Sequence, residues 1–276
     1  MPSVCLSVKN ILRPQVLISE KDFLVVYKPS RMHSAPLARS SSDNLFDWCA
    51  EKFPEIALLA GRRAGEGGLL HRLDFETQGI LLVARTRRGM EALIEQQKNG
   101  AIVKEYSALA STGKTTLNGF PPEKPAFQAG LFSGKGKDGA RVALRIKSAF
   151  RPYGFGRKAV RPVMVDEAQG VIAEKNIDPR EIVFDGNKPY TTEILEIASL
   201  PNAVRCFRLS IYRGFRHQIR CHLAWLGFPI LNDDLYGAVS YGRGFLGLRA
   251  YSISFCDPSS NIKRAYSIPC PGLDDL

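Results

Sequence analysis

Apolar residues along the chain fall into short runs and regular alternations, a pattern that predicts many strands interrupted by a few helices. Phe23-Leu24-Val25-Val26-Tyr27 is rich in strand formers and stops at Lys28-Pro29, predicting a buried strand that ends in a turn. Leu45, Phe46, Cys49 and Phe53 then recur at helical spacing, predicting a helix capped by Ser42 or Asp43 and stopped by Pro54. Residues 79–85 read as a strand. Thr86 caps a helix carried by Met90, Leu93, Ile94 and Gln97 to Gly100, and residues 102–110 return as an alternating strand. Alternation resumes at 190–197 and 206–212, predicting two adjacent antiparallel strands. Residues 216–226 follow as a helix with Ile219, Leu223 and Leu226 on its buried face and Gly227 as its terminator. No internal repeat is present.

Between 111 and 187 the pattern fades into a segment rich in Gly, Pro and Lys, which reads as an insertion at about 113–187 in a domain running from 21 to 276. At 276 residues and 45% hydrophobic, the chain can bury a substantial core as one large domain carrying such an insertion. Residues 1–20 read as a leader. They lack the basic start, apolar core and cleavage site of a secretion signal, and no apolar stretch approaches the ~20 residues that span a bilayer. A cytoplasmic protein is expected. Cys5, Cys49, Cys206, Cys221, Cys256 and Cys270 form no Cys-x-x-Cys pair and read as reduced, mostly packed thiols.

A formal net charge of +11, from 38 Lys and Arg against 27 acids, favours a polyanionic partner. One basic stretch, from 139 to 165, lies in the insertion. Arg141, Arg145, Lys147, Arg151, Arg157, Lys158 and Arg161 occur with no acid among them, interleaved with Phe150, Tyr153 and Phe155. Basic side chains with aromatic neighbours suit phosphate contact and base stacking, although such runs also serve as ordinary solvated surface.

Two dense blocks carry the candidate chemistry. The first is His71-Arg72-Leu73-Asp74-Phe75-Glu76-Thr77-Gln78-Gly79, a carboxylate beside an arginine in a turn entering an apolar run. The second is Arg216-His217-Gln218-Ile219-Arg220-Cys221-His222-Leu223, followed by Gly227-Phe228-Pro229-Ile230 and Asp233-Asp234-Leu235-Tyr236-Gly237, with Lys104-Glu105-Tyr106-Ser107-Ala108 between the two. In that order they resemble the RluA-type family of RNA pseudouridine synthases, whose signature is His-Arg-Leu-Asp-x-x-Thr-x-Gly, Lys-x-Tyr-x-Ala, His-Gln-Ile-Arg-x-His-Leu, Gly-x-Pro-Ile and Asp-x-x-Tyr-Gly. Residues 246–255 and 263–268 resemble the family's last two strands. Two departures stand out: Gln78 replaces the usual Ser, and Gly214-Phe215-Arg216-His217 displaces one arginine by a position.

The resemblance implies a mixed α/β fold, a long, mostly antiparallel bent sheet with helices and loops framing a central cleft. It also implies isomerisation of uridine to pseudouridine in structured RNA, ribosomal RNA ahead of transfer RNA, by a monomer that needs no cofactor or metal. Asp74 is then the nucleophile at the sugar or the base that starts an elimination. Arg220 is the cation that keeps it ionised in a pocket where burial alone protonates a carboxylate. Tyr106 stacks on the uracil and assists removal of the displaced proton. Arg72 fills the gap left by the flipped nucleotide. His71, Thr77, His217, Gln218, Ile219 and Leu223 frame the substrate.

Other readings have a place. His71, His217 and His222 could ligate a metal, but no further His or Cys falls at ligand spacing, so structural hydrogen bonding is preferred. Asp233, Asp234 and Tyr236 read as braces of the fold. A silent RNA-binding protein is the first rival function and a metal-dependent nuclease the second. The intact trio of Asp74, Tyr106 and Arg220 speaks against the first, because binding alone does not require it.

Overall fold

The computed structural model describes residues 3–37, 43–61, 65–112, 117–121, 144–166, 170–171, 177–186, 188–237, 240–242, 244–272 and 276. The elements are β1 (Val4–Cys5), β2 (Gln15–Ser19), β3 (Phe23–Lys28), α1 (Leu45–Lys52), β4 (Gln78–Ala84), α2 (Arg87–Lys98), β5 (Val103–Ser111), β6 (Leu144–Tyr153) and β7 (Ala159–Val163). They continue with β8 (Val165–Asp166), β9 (Gly170–Val171), β10 (Tyr190–Ser199), β11 (Val204–Ile211), α3 (Gln218–Leu226), β12 (Leu248–Cys256) and β13 (Lys263–Ser267). Two compact units result, Met1–Tyr106 with Leu248–Gly272, and Ser107–Gly247 with Leu273–Leu276.

In the first unit the strand order is β2-β3-β4-β12, with β13 paired to β12 and β1 to β13. Strands β2, β3 and β4 run antiparallel, whereas β4 and β12 are parallel. β3 and β4 are buried along their whole lengths, which is why their sequences are continuous apolar runs rather than alternations. Met90 and Leu93 of α2 join Phe23, Val25, Leu82 and Phe255 in one core. Gly79 is required where β4 meets β12: its φ is +134°, and a Cβ there would lie 2.2 Å from the carbonyl oxygen of Ala250.

The second unit carries β11-β10-β6-β7, antiparallel throughout. Its core gathers Phe150, Val160, Cys221, Ala224 and Tyr236. Both units therefore match the expected mixed, mostly antiparallel sheet with few helices. Strands β6 and β7 lie inside the segment whose sequence looked least patterned. On β6, Arg145 and Lys147 face outward while Ile146 and Ser148 are buried, so a strand alternation was present but read as a charge run.

Helix starts differ from expectation in two places. α1 is capped by Asn44, whose side-chain oxygen accepts from the Asp47 amide at 3.0 Å; Ser42 lies outside the described residues. α3 begins at Gln218 rather than at 216, because His217 sits in the left-handed region at φ 56° and breaks the helical path. Gly227 ends α3 at φ 91°, as its position predicts.

Thr86 caps α2 by accepting from the Gly89 amide at 3.0 Å, and its hydroxyl donates to Asp22. Thr86→Ala should therefore lower the unfolding free energy by about 1 kcal/mol or somewhat more in urea titration, with Thr86→Ser recovering most of the loss.

Candidate active site

The Asp74 turn is held from beneath by the segment that follows β3. Ser34 fixes the backbone of Leu73 in both directions, its hydroxyl donating to the Leu73 carbonyl at 2.8 Å and accepting from the Leu73 amide at 3.0 Å. The Met32 amide donates to the Phe75 carbonyl and the Ser30 hydroxyl to the Glu76 carbonyl, while the Thr77 amide closes the turn on the Asp74 carbonyl at 3.1 Å. With its backbone groups occupied, the turn has little freedom to swing the Asp74 side chain.

Lys28 is a cation beside this turn. It is fully buried, and its ammonium donates to the carbonyls of Pro29 at 2.9 Å, Met32 at 2.7 Å and Phe75 at 3.2 Å. Every donor of the ammonium thus has an acceptor. Burial pulls its pKa down to about 7, against the charges of Asp74 and Glu76, which hold the proton on. Sequence reading took Lys28 only as the stop of a strand. A lysine closing a wholly apolar run was the one available signal.

Tyr106 is buried on β5, and its phenol is pushed well above the usual tyrosine range by burial first and by the Asp74 charge second. The phenol is therefore protonated at neutral pH, and it lies within the field of Asp74. Thr77 is buried, with no hydrogen-bond partner for its hydroxyl among the described residues. The side-chain oxygen of Gln78 accepts from Tyr27 at 2.8 Å and from Arg249 at 3.3 Å. His71 accepts from the Leu82 amide at 3.2 Å, which ties the start of the motif to β4. Arg72 is half exposed and pairs with Glu66 at 3.4 Å.

In the second unit α3 presents Arg220, which is 2% exposed. Its Nε and Nη2 donate to the two carboxylate oxygens of Asp233 at 2.8 Å each, and its guanidinium lies over the Tyr236 ring. This forked pair fixes the plane of the guanidinium. Asp233 was read from sequence as a brace, and this is what it holds. Gln218 bridges the Thr191 carbonyl, the Thr192 hydroxyl and the Phe215 amide, shaping the loop before the helix. His217 approaches the Tyr236 hydroxyl at 3.3 Å. Ile219 and Leu223 are buried. His222 is buried between Ser148 and Thr192, and burial drags its pKa to about 3, so it is a neutral structural residue.

The basic stretch divides by environment. Arg161 is buried under the rings of Phe120 and Tyr153 and donates to the Asn118 and Val160 carbonyls. Arg151 donates to the Gly119 carbonyl, and Arg145 pairs with the buried Glu193 at 2.9 Å. Lys147, Arg157 and Lys158 are exposed, and Arg141 lies outside the described residues. Among the described residues no group of three or more His, Cys, Asp or Glu could hold a metal ion, and no helix is long and apolar enough to cross a membrane.

Lys28 supplies a test of this half. Its folded pKa of about 7 lies below the ordinary 10.5, so the unfolded chain binds more protons between those values and the contribution of Lys28 to stability rises with pH across that window. Denaturant titrations from pH 6.5 to 8.5 should show wild type gaining stability relative to Lys28→Met. A constant difference would mean that the ammonium titrates normally.

Comparison with known proteins places this geometry in a family. Residues 22–225 match the family model described as RNA pseudouridylate synthase. An uncharacterised RNA pseudouridine synthase of Helicobacter pylori is 23% identical over 94% of this chain and 67% of its own length. The ribosomal large subunit pseudouridine synthase D of Neisseria meningitidis is 24% identical over 95% of this chain and 59% of its own. Among solved structures, human RNA pseudouridylate synthase domain containing 4 superposes with a TM-score of 0.58 at 18% identity, covering 94% of this chain and 89% of that one. Human RNA pseudouridylate synthase domain containing 1 gives 0.55 at 22%, covering 96% and 86%. With its motifs, its mixed sheet and a family match over most of its length, the chain belongs to the RluA-type RNA pseudouridine synthases, isomerases that turn uridine into pseudouridine in RNA.

Proposed function

We propose that Asp74 carries the reaction, as the nucleophile at the sugar or as the base that opens an elimination, on uridines of structured ribosomal RNA. The observation that carries this reading is the pinned turn that holds Asp74 over a buried ammonium and within the field of a buried phenol. A rigid anion in low dielectric, supported by a cation, is what nucleophilic or basic attack at neutral pH requires. Ribosomal RNA is favoured because curated relatives from Neisseria meningitidis and Pasteurella multocida bear ribosomal large subunit names. Transfer RNA is the second substrate class.

Arg220 is assigned the second cation for Asp74, with Asp233 fixing the plane from which its guanidinium acts. The reaction breaks the bond from the sugar to N1, turns the uracil, joins the sugar to C5, moves the C5 proton away and returns a proton at N1. Tyr106 packs on the uracil. Being protonated, its phenol accepts the C5 proton only as it passes on its own, so it works as a relay rather than a standing base.

His71, Thr77, His217 and Gln218 hold the turn and loop that frame the base, and Ile219 and Leu223 supply apolar contact. Arg72 follows the flipped nucleotide into the vacated stack. Lys147, Arg157 and Lys158 are the exposed cations of the region at 113–187 assigned to phosphate contact. One chain carries Asp74, Tyr106 and Arg220, which is what a monomeric enzyme requires, and the cytoplasm supplies structured RNA.

Nucleotide-resolution mapping of pseudouridine in total RNA, with and without the gene, tests the assignment. Defined sites, mainly in ribosomal RNA, should disappear on deletion and return with wild type but not with Asp74→Asn. Return of every site with Asp74→Asn would remove Asp74 from the chemistry.

A further inference from the structure

The hairpin of β6 and β7 ends in a feature that the proposed chemistry does not use. Tyr153 pairs with Ala159, leaving Gly154-Phe155-Gly156-Arg157-Lys158 as the tip. Phe155 is 99% exposed. Single exposed apolar residues are common on protein surfaces, so exposure alone carries little. What sets this one apart is its mounting. The tip is closed by the Arg157 amide donating to the Gly154 carbonyl at 3.0 Å, with Gly154, Gly156 and Arg157 all at positive φ. Arg216 donates to the carbonyls of Arg157 at 2.7 Å and Ala159 at 3.3 Å, and Arg157 pairs with Glu181 at 2.8 Å. The stalk is stiffened by Arg161 between the Phe120 and Tyr153 rings, and rooted through Phe150 and Val160 in the core of the second unit.

The backbone on either side of Phe155 is open too: among the described residues, a Cβ at Gly154 would meet nothing within 4 Å, and one at Gly156 only the Lys158 side chain at 3.9 Å or beyond. Three exposed cations, Arg157, Lys158 and Arg216, belong to the tip or donate to its backbone, and Arg157 pairs with the carboxylate of Glu181. An exposed aromatic ring on a braced tip that carries cations fits one ligand chemistry, an unpaired nucleobase whose flanking phosphates meet the cations.

We propose that the tip of this hairpin is an RNA-stacking finger, in which Phe155 stacks on an unpaired base of the substrate and Arg157, Lys158 and Arg216 meet the adjacent phosphates. This rests on the reading that the substrate is RNA. Phe155 is a positioning residue and takes no part in bond breaking.

The test uses the full chain with Phe155→Ala and Phe155→Trp, and two probes: a 20-nucleotide oligouridylate and an unmodified large-subunit ribosomal RNA transcript. Phe155→Ala should weaken oligouridylate binding by about tenfold and Phe155→Trp should restore it, since sequence-tolerant stacking is lost with the ring and kept with a larger one. On the transcript, KM should rise while the single-turnover rate at saturating RNA stays at the wild-type value. Fluorescence of Phe155→Trp, after subtraction of wild type with its Trp48 and Trp225, should be quenched on RNA binding. Unchanged binding by Phe155→Ala, or binding without quenching in Phe155→Trp, overturns the finger. A blue shift with phosphatidylglycerol vesicles and no response to RNA overturns it too, in favour of a membrane contact. If wild type binds the oligonucleotide through Phe155 yet makes no pseudouridine, the finger stands and the catalytic reading falls. The reverse result sinks only the finger, and a wild type that binds neither RNA sinks both.

Discussion

The burial of Lys28 beneath the Asp74 turn is the constraint from which the rest of the first unit follows. An ammonium removed from water is costly, and it persists here because the Pro29, Met32 and Phe75 carbonyls accept from it and because Asp74 and Glu76 supply negative charge nearby. Cation and turn depend on each other. The cation ties the turn to the end of β3, and the turn supplies the charge that makes a buried cation tolerable. Ser30, Met32 and Ser34 bind the backbone of the same turn, so the carboxylate is presented by a rigid loop rather than by a mobile one.

The second unit solves a similar problem differently. Arg220 is buried on α3, and Asp233 meets it with both oxygens, which satisfies two of its donors and fixes its orientation. The identity of the cation matters in each place. A lysine can point its donors at several carbonyls of an irregular turn, whereas an arginine presents a flat fork to one carboxylate. Phenols at Tyr106 and Tyr236 are both pushed upward, chiefly by burial, so both are protonated at neutral pH.

Much of this was legible in the residues. β3 and β4 announced themselves as continuous apolar runs, the Thr86 cap and Gly227 terminator stood at the ends of α2 and α3, and the motif blocks named the family. Three things were hidden, each for a physical reason. Lys28 looked like no more than the stop of a strand because its burial depends on a turn 47 residues away. Strand β6 was masked because its outward positions, Arg145 and Lys147, are basic and charge obscured the alternation, and β7 because it is buried along its whole length and shows no alternation. Asn44, rather than Ser42 or Asp43, caps α1 because the cap is decided by which side chain reaches the Asp47 amide, a backbone geometry that composition does not encode. The pairing of Arg220 with Asp233 was half visible: each residue had been singled out, but nothing in the spacing tied one to the other.

The central claim is that the charge of Lys28 helps keep Asp74 ionised for catalysis. Its most direct measurement is the pH dependence of single-turnover pseudouridine formation at saturating RNA, for wild type and Lys28→Met, with far-ultraviolet circular dichroism confirming that both remain folded at each pH. Removing the cation favours the protonated carboxyl, so the acid limb of the profile should move to higher pH by more than half a unit while the plateau rate changes less. An acid limb that stays in place in a folded Lys28→Met enzyme would contradict the account.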